Sequence, residues 1–250
     1  MKNLDPKNIR AYGDTLNDGM IQLSFTLPVY KSNKAKEAAI EYLKKMNFEK
    51  VYITSMQDAG GEFTFFIAYA KHRATVNYEE IDTPEVELKL RSMKELDDLV
   101  IKNLKRNIRV VGACTGSDAH SVGIDAIMNM KGYNGDYGLE RYKGIDAYNL
   151  GAQVENADLI LYAKSVKADA ILISQVVTQK NIHIQNSKDF IRRAKEQGIY
   201  ENMILILGGP RIDHKLALEL GYNAGFGPES KPSMIANYIY DQMIKDINLS

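Results

Sequence analysis

Along residues 20–28 apolar and polar positions alternate, with Ile21, Leu23, Phe25 and Leu27 on one side. That is the period of a half-buried strand, and Pro28 closes it. From Asn33 to Met46 the period changes: Ala35, Ala39, Ile40, Leu43 and Met46 fall three or four apart, which predicts a helix. Residues 50–56 and 62–70 then read as two strands around a turn holding Gly60 and Gly61. The pattern predicts a small α+β domain of β-α-β-β order over residues 1–83. Residues 84–106 open on Pro84-Glu85 and carry Leu88, Met93, Leu96, Leu99, Val100 and Leu104 at helical spacing among charges, which predicts a helical connector.

After residue 107 the pattern changes again. Short apolar runs at 109–114, 144–149, 170–174, 203–208 and 223–225 alternate with amphipathic stretches at 122–130, 154–167, 187–197, 214–220 and 233–247. Five strands alternating with helices predict an α/β domain over residues 107–250, a doubly wound, Rossmann-like five-stranded parallel sheet with right-handed crossovers.

Length and charge narrow the function classes. At 250 residues the chain is long enough for one large or two modest domains, of which the pattern favours two, and its 32 basic residues balance 32 acidic ones. No overall field therefore favours nucleic acid or an anionic membrane. One cysteine, Cys114, excludes an internal disulfide and every Cys-x-x-Cys motif, and suits a reducing compartment. Met1-Lys2-Asn3-Leu4-Asp5-Pro6 lacks the apolar core of a signal peptide, and no apolar run approaches a membrane span, so the expectation is a cytoplasmic protein. A small sheet with an uncovered edge or face predicts self-association through residues 1–83.

Candidate chemistry concentrates where the predicted strands end, because ligands of open α/β sheets bind at the carboxyl ends of strands. The first such loop reads Asp118-Ala119-His120-Ser121-Val122-Gly123. A carboxylate two residues before an imidazole can accept its second ring N–H and raise the basicity of the free nitrogen. A loop histidine bonded to a nearby aspartate for structural reasons alone fits the string equally well. Gly123 leaves room for a bulky group beside the helix that follows. Later strand ends carry Ser174-Gln175-Val176-Val177-Thr178, Gly208-Gly209-Pro210 and Gly225-Phe226-Gly227, small residues that predict a slot. The dinucleotide and phosphate-loop fingerprints are missing after the first strand, so the slot calls for another ligand. Lys131, followed by Gly132 and flanked by Tyr133 and Tyr137, reads on its own as a solvated helix-end charge. His72 and His214 read as surface residues, and His183 as structural or lining the slot. Lys143 and the tyrosines between 133 and 148 are candidates for a partner contact.

Asp-x-His-x-x-Gly, then Ser-x-Val, then Gly-Gly, each at the end of a successive strand, resembles the cobalamin-binding domain of base-off/His-on enzymes. Gln22-Leu23-Ser24-Phe25-Thr26-Leu27-Pro28-Val29, Gly112-Ala113-Cys114-Thr115-Gly116-Ser117-Asp118-Ala119-His120 and Asn129-Met130-Lys131-Gly132-Tyr133 further resemble the lysine 5,6-aminomutase β subunits, nearly end to end. The resemblance implies an isomerase of the intramolecular aminotransferase type, dependent on adenosylcobalamin and pyridoxal phosphate. By it, His120 is the lower axial cobalt ligand and Asp118 bonds its other nitrogen. The displaced nucleotide tail enters the slot past Gly123, Ser174, Val176, Thr178, Gly208, Gly209, Gly225 and Gly227. Lys131 forms the imine with pyridoxal phosphate. A larger α subunit with a barrel fold and an α2β2 heterotetramer are implied, with D-lysine or L-β-lysine as substrate. An ornithine-type aminomutase component and a non-catalytic cobalamin carrier or sensor are the rival readings.

Overall fold

The computed structural model describes residues 5–13 and 18–249, so the reading of residues 1–4 as lacking a signal core lies outside the described residues. Two compact units divide the chain, Met1–Asp82 and Thr83–Ser250.

In the first unit, β1 (Met20–Leu27), β2 (Glu49–Asp58) and β3 (Thr64–Lys71) form an antiparallel sheet in the order β1-β3-β2. Helix α1 (Asn33–Lys45) starts where Ser32 accepts the N–H of Ala35 and ends on Lys44 and Lys45, which favour the negative end of its dipole. Ala35 and Ala39 of the helix pack on Phe66, with Phe25, Leu27 and Ile53 around them. The strict alternation of β1 is thus one half of this core. On the other face Tyr52 and Tyr69, paired across β2 and β3, are exposed.

The second unit contains β4 (Ile108–Cys114), β5 (Ile145–Asn149), β6 (Ala170–Ser174), β7 (Ile204–Gly208) and β8 (Ala224–Phe226). They form a parallel sheet in the order β5-β4-β6-β7-β8. Helices α2 (Met93–Leu104), α3 (Val122–Met128) and α7 (Pro232–Leu249) help build one buried cluster. Helices α4 (Asn156–Ser165), α5 (Ile182–Glu196) and α6 (His214–Leu220) help build the other. Buried on both faces, the central strands read as continuous apolar runs such as Ala170-Ile171-Leu172-Ile173. The chain order reverses between β4 and β6, and this switch point is where such sheets open a crevice.

Several boundaries differ from the sequence reading, and three have a clear physical cause. The stretch 84–106 is helical only from Met93, because Ser92 and Glu95 form a reciprocal capping box, and Leu96 and Val100 bury it in the second unit. Helix α5 begins at Ile182, five residues before the predicted start, because buried His183 shares a face with Ser187 and Phe190. Helix α3 stops at Met128, since Asn129 turns extended and its side chain accepts from Asn149.

Candidate functional site

The loop from β4 to α3 lies at the switch point. Asp118 is buried, and its Oδ2 accepts the backbone N–H groups of Val176 at 2.6 Å and Val177 at 2.9 Å. Its Oδ1 accepts the N–H of His120 and lies 3.0 Å from Nδ1 of the same residue. Burial opposes ionisation of this carboxyl, but the donors from Val177, His120 and Val176 outweigh it and hold the group below the usual aspartate range. An ionised Asp118 requires the proton of the neutral His120 ring on Nδ1, which leaves Nε2 for a ligand. The ring is 61% exposed, so that nitrogen is accessible.

Further contacts fix the loop. Cys114, fully buried, donates its thiol to the carbonyl of His120 at 2.9 Å. Gln153 donates to the carbonyl of Asp118 at 3.0 Å, and Gly116 to that of Val154 at 2.9 Å. The sequence marks Cys114 only by the lack of a disulfide partner, and Val177 only as a member of the strand-end string 174–178. A backbone donor carries no side-chain signal, so nothing in the sequence marks Val177 as one.

Beside the loop a cavity of about 250 Å³ opens along the carboxyl ends of β6, β7 and β8. Gly123, Ile124 and Ile127 of α3 line it together with Tyr133, Ser174, Val176, Gly208, Gly209 and Gly227. A Cβ at residue 123 would stand 2.8 Å from Ser174 Oγ, so this glycine keeps helix and strand end close. Two residues of the expected slot lie elsewhere. A Cβ at Gly225 would meet the carbonyl of Asp213 at 2.3 Å and Ala217 Cβ at 2.7 Å, so Gly225 admits α6 rather than a ligand. Thr178 is half-buried, does not line the cavity, and its carbonyl accepts from Asn181 in the turn before α5. His183 also lies outside the lining; it is buried in α5, and burial with nearby Arg211 pulls its pKa down.

Lys131 is exposed, past the other end of α3, with no hydrogen bond or ion pair among the described residues. Its loop is nonetheless tightly built. Gly132 donates to Asn129 at 2.8 Å, and Tyr133 and Asp136 exchange backbone hydrogen bonds at 2.9 and 3.0 Å. Gly132 has φ +66°, and a Cβ there would fall 1.9 Å from the carbonyl of Asp136. Ser233 donates to the Asp136 carboxylate, and Arg141 covers the Tyr137 ring at 4.0 Å. Among the described residues no group of three His, Cys, Asp or Glu side chains converges on a metal site, and no helix is long and apolar enough to cross a membrane.

A parallel sheet with strand order 2-1-3-4-5, an aspartate-clamped histidine at its switch point and an apolar cavity beside it define the class of B12-binding domains: residues 108–234 match the B12 binding domain family. Residues 8–85 match the dimerisation domain of D-ornithine 4,5-aminomutase. The chain belongs to the lysine 5,6-aminomutase β-subunit family. It is 51% identical over 227 residues to the lysine 5,6-aminomutase β subunit of Acetoanaerobium sticklandii, covering 91% of this chain and 87% of that one. It is 46% identical over 242 residues to that of Fusobacterium nucleatum, covering 97% and 92%. Identity to the D-ornithine 4,5-aminomutase β subunit of A. sticklandii is 32% over 225 residues, which are 89% of this chain and 29% of that longer one. Among solved structures, a cobalamin-binding protein from Desulfitobacterium hafniense superposes with TM-score 0.42 at 13% identity, over 62% of this chain and 71% of that one.

Proposed function

We propose that this chain is the cobalamin-binding subunit of an aminomutase that moves the terminal amino group of D-lysine or L-β-lysine to the adjacent carbon. The observation that carries the reading is His120, held by a buried, ionised Asp118 beside an apolar cavity. The residues fit a corrinoid. Neutral imidazole is a suitable donor to a first-row transition metal, and Asp118 fixes its tautomer and increases its basicity. Gly123, Ser174, Val176, Gly208, Gly209 and Gly227 would accept the nucleotide tail, and the apolar walls exclude water from it.

The fit to pyridoxal phosphate on this chain rests on one group, the exposed amine of Lys131 on a rigid turn. An unpaired lysine is a competent carbonyl-binding nucleophile once its pKa is lowered by desolvation. In this proposal a larger α subunit with a barrel fold supplies the remaining contacts and the substrate pocket, so the chain is active only with that partner. Adenosylcobalamin supplies a hydrogen-abstracting radical and pyridoxal phosphate a π-system that stabilises an unpaired electron; the protein orients both. Self-association through the first unit makes the assembly α2β2, in the cytoplasm. That unit matches a dimerisation domain and exposes Tyr52 and Tyr69 on one sheet face.

The two lysine relatives, at 51% and 46% identity against 32% for the ornithine one, favour lysine as substrate. Borohydride reduction of the complex of this chain with its partner and pyridoxal phosphate, followed by peptide mapping, tests the enzymatic half. Label on Lys131 is expected. Label absent from Lys131 leaves a cobalamin carrier instead.

A further inference from the structure

We propose that Thr115 is the residue that positions the His120 loop, acting through its hydroxyl as the junction of three elements. The proposal rests on the reading of His120 as the cobalt ligand and extends it to residues that touch neither metal nor corrin. Thr115 is 1% exposed and follows the last ladder pair between β4 and β6, Cys114 with Ser174. Beyond that ladder the Thr115 backbone makes one parallel bridge with Val154, and its side chain ties the loop to the β6 end and α5. Thr115 Oγ accepts from Gln175 Nε2 at 2.8 Å and from Asn186 Nδ2 at 2.7 Å. Gln175 follows β6 and is 2% exposed, whereas Asn186 stands on α5. The Oδ1 of Asn186 in turn accepts from Asn156 Nδ2 at 3.1 Å, at the start of α4.

The next residue makes this junction consequential. Gly116 has φ +70°, and Asn186 packs against it so closely that a Cβ would stand 3.0 Å from Asn186 Oδ1. The chain swings at Gly116 toward Asp118 and His120, and the Thr115 hydroxyl fixes where that swing begins. Buried side-chain networks of this kind set position when they are intact, and loss of this acceptor leaves the Asn186 amide without its partner and the Gln175 amide with only the Thr115 carbonyl at 3.3 Å. The β4–β6 ladder ends before Thr115 and the Thr115–Val154 bridge is made by backbone groups, so the sheet keeps both while the loop loses its side-chain tie to the β6 end and α5. The consequence falls on ligand geometry, as it does when groups supporting a metal-bound histidine are removed.

The test uses the full-length chain with cob(II)alamin, read by electron paramagnetic resonance and by the cobalamin dissociation constant. Thr115→Val keeps shape and removes the hydroxyl. It should convert part of the nitrogen-split signal to the unligated form and weaken cobalamin about tenfold. Thr115→Ser should restore both. Ser187→Ala, on the same helix as Asn186 but not bonded to Thr115, should change neither. Wild-type ligation and affinity in Thr115→Val overturn the proposal, as does a Thr115→Ser variant no better than Thr115→Val or a Ser187→Ala variant equally impaired. Where Thr115→Val does not fold, Asn186→Ala removes one donor from the same hydroxyl and is judged by the same outcomes. A wild-type chain lacking histidine ligation contradicts the His120 reading instead, so the two failures are distinct.

Discussion

The loops at the two ends of α3 are held by opposite means. Before the helix, Asp118 and His120 are fixed by groups far away in sequence: the N–H groups of Val176 and Val177, and the Asn186 amide on Thr115. After it, Lys131 stands on a turn closed largely by its own neighbours, Asn129, Gly132, Tyr133 and Asp136. The His120 imidazole is thus placed by contacts from across the sheet, and the Lys131 amine by a local sequence. The first arrangement weakens one contact at a time. The second depends on single glycines.

The largest effect is expected at Gly132. Gly132→Ala adds a Cβ 1.9 Å from a carbonyl oxygen at φ +66°, and should cost about 3 kcal/mol or more in denaturant unfolding. Borohydride label at Lys131 should be lost while cobalamin binding persists, which separates the two loops. Survival of the label would show that the Lys131 turn is not held as the structure has it.

Asp118→Asn comes next, at about 1.5–3 kcal/mol of stability, since the carboxylate serves three N–H groups and a ring. The folded pKa of Asp118 lies below its ordinary 3.8, so its contribution is full above that value and is lost as pH falls through the lowered folded value. The stability difference between wild type and Asp118→Asn should therefore shrink as pH falls below about 4. A difference that persists undiminished below that range contradicts the assignment.

Gly123→Leu should weaken cobalamin by about 1–3 kcal/mol through overpacking at the Ser174 wall, measured by spectroscopic titration. Unchanged affinity would mean that the tail does not use the cavity. The smallest effect concerns Cys114, whose thiol burial pushes up to about 11. A thiol reagent at pH 8 should modify it only after unfolding, and Cys114→Ala should cost about 1 kcal/mol. Rapid modification of the native chain would break the bond assigned to the His120 carbonyl.

These differences also explain what could be read from the sequence. The strands of the second unit were legible because sheets covered on both faces leave continuous apolar runs, and β1 because one covered face leaves alternation. Asp118 and His120 were legible as a string, and the family resemblance supplied the roles proposed for them. The clamp from Val176 and Val177 was not, because it consists of backbone groups brought in by strand order, which no local pattern records. The early start of α5 was hidden by residues 181–186, where Ile182 and Ile184 alternate with polar residues and the helical face shows only once His183 is seen to be buried. Gly225 was misleading because a glycine that admits a helix and one that admits a ligand look alike in sequence.

The central claim is that His120 reaches a metal from the switch point of the sheet. The direct test loads cob(II)alamin into protein labelled with ¹⁵N-histidine and records the nitrogen splitting of the cobalt signal. Ligation by His120 predicts a doublet in labelled protein where unlabelled protein gives a triplet, and loss of that doublet in His120→Ala. A triplet that persists in the labelled protein would mean that the cofactor's own benzimidazole remains on the metal, and would contradict the account.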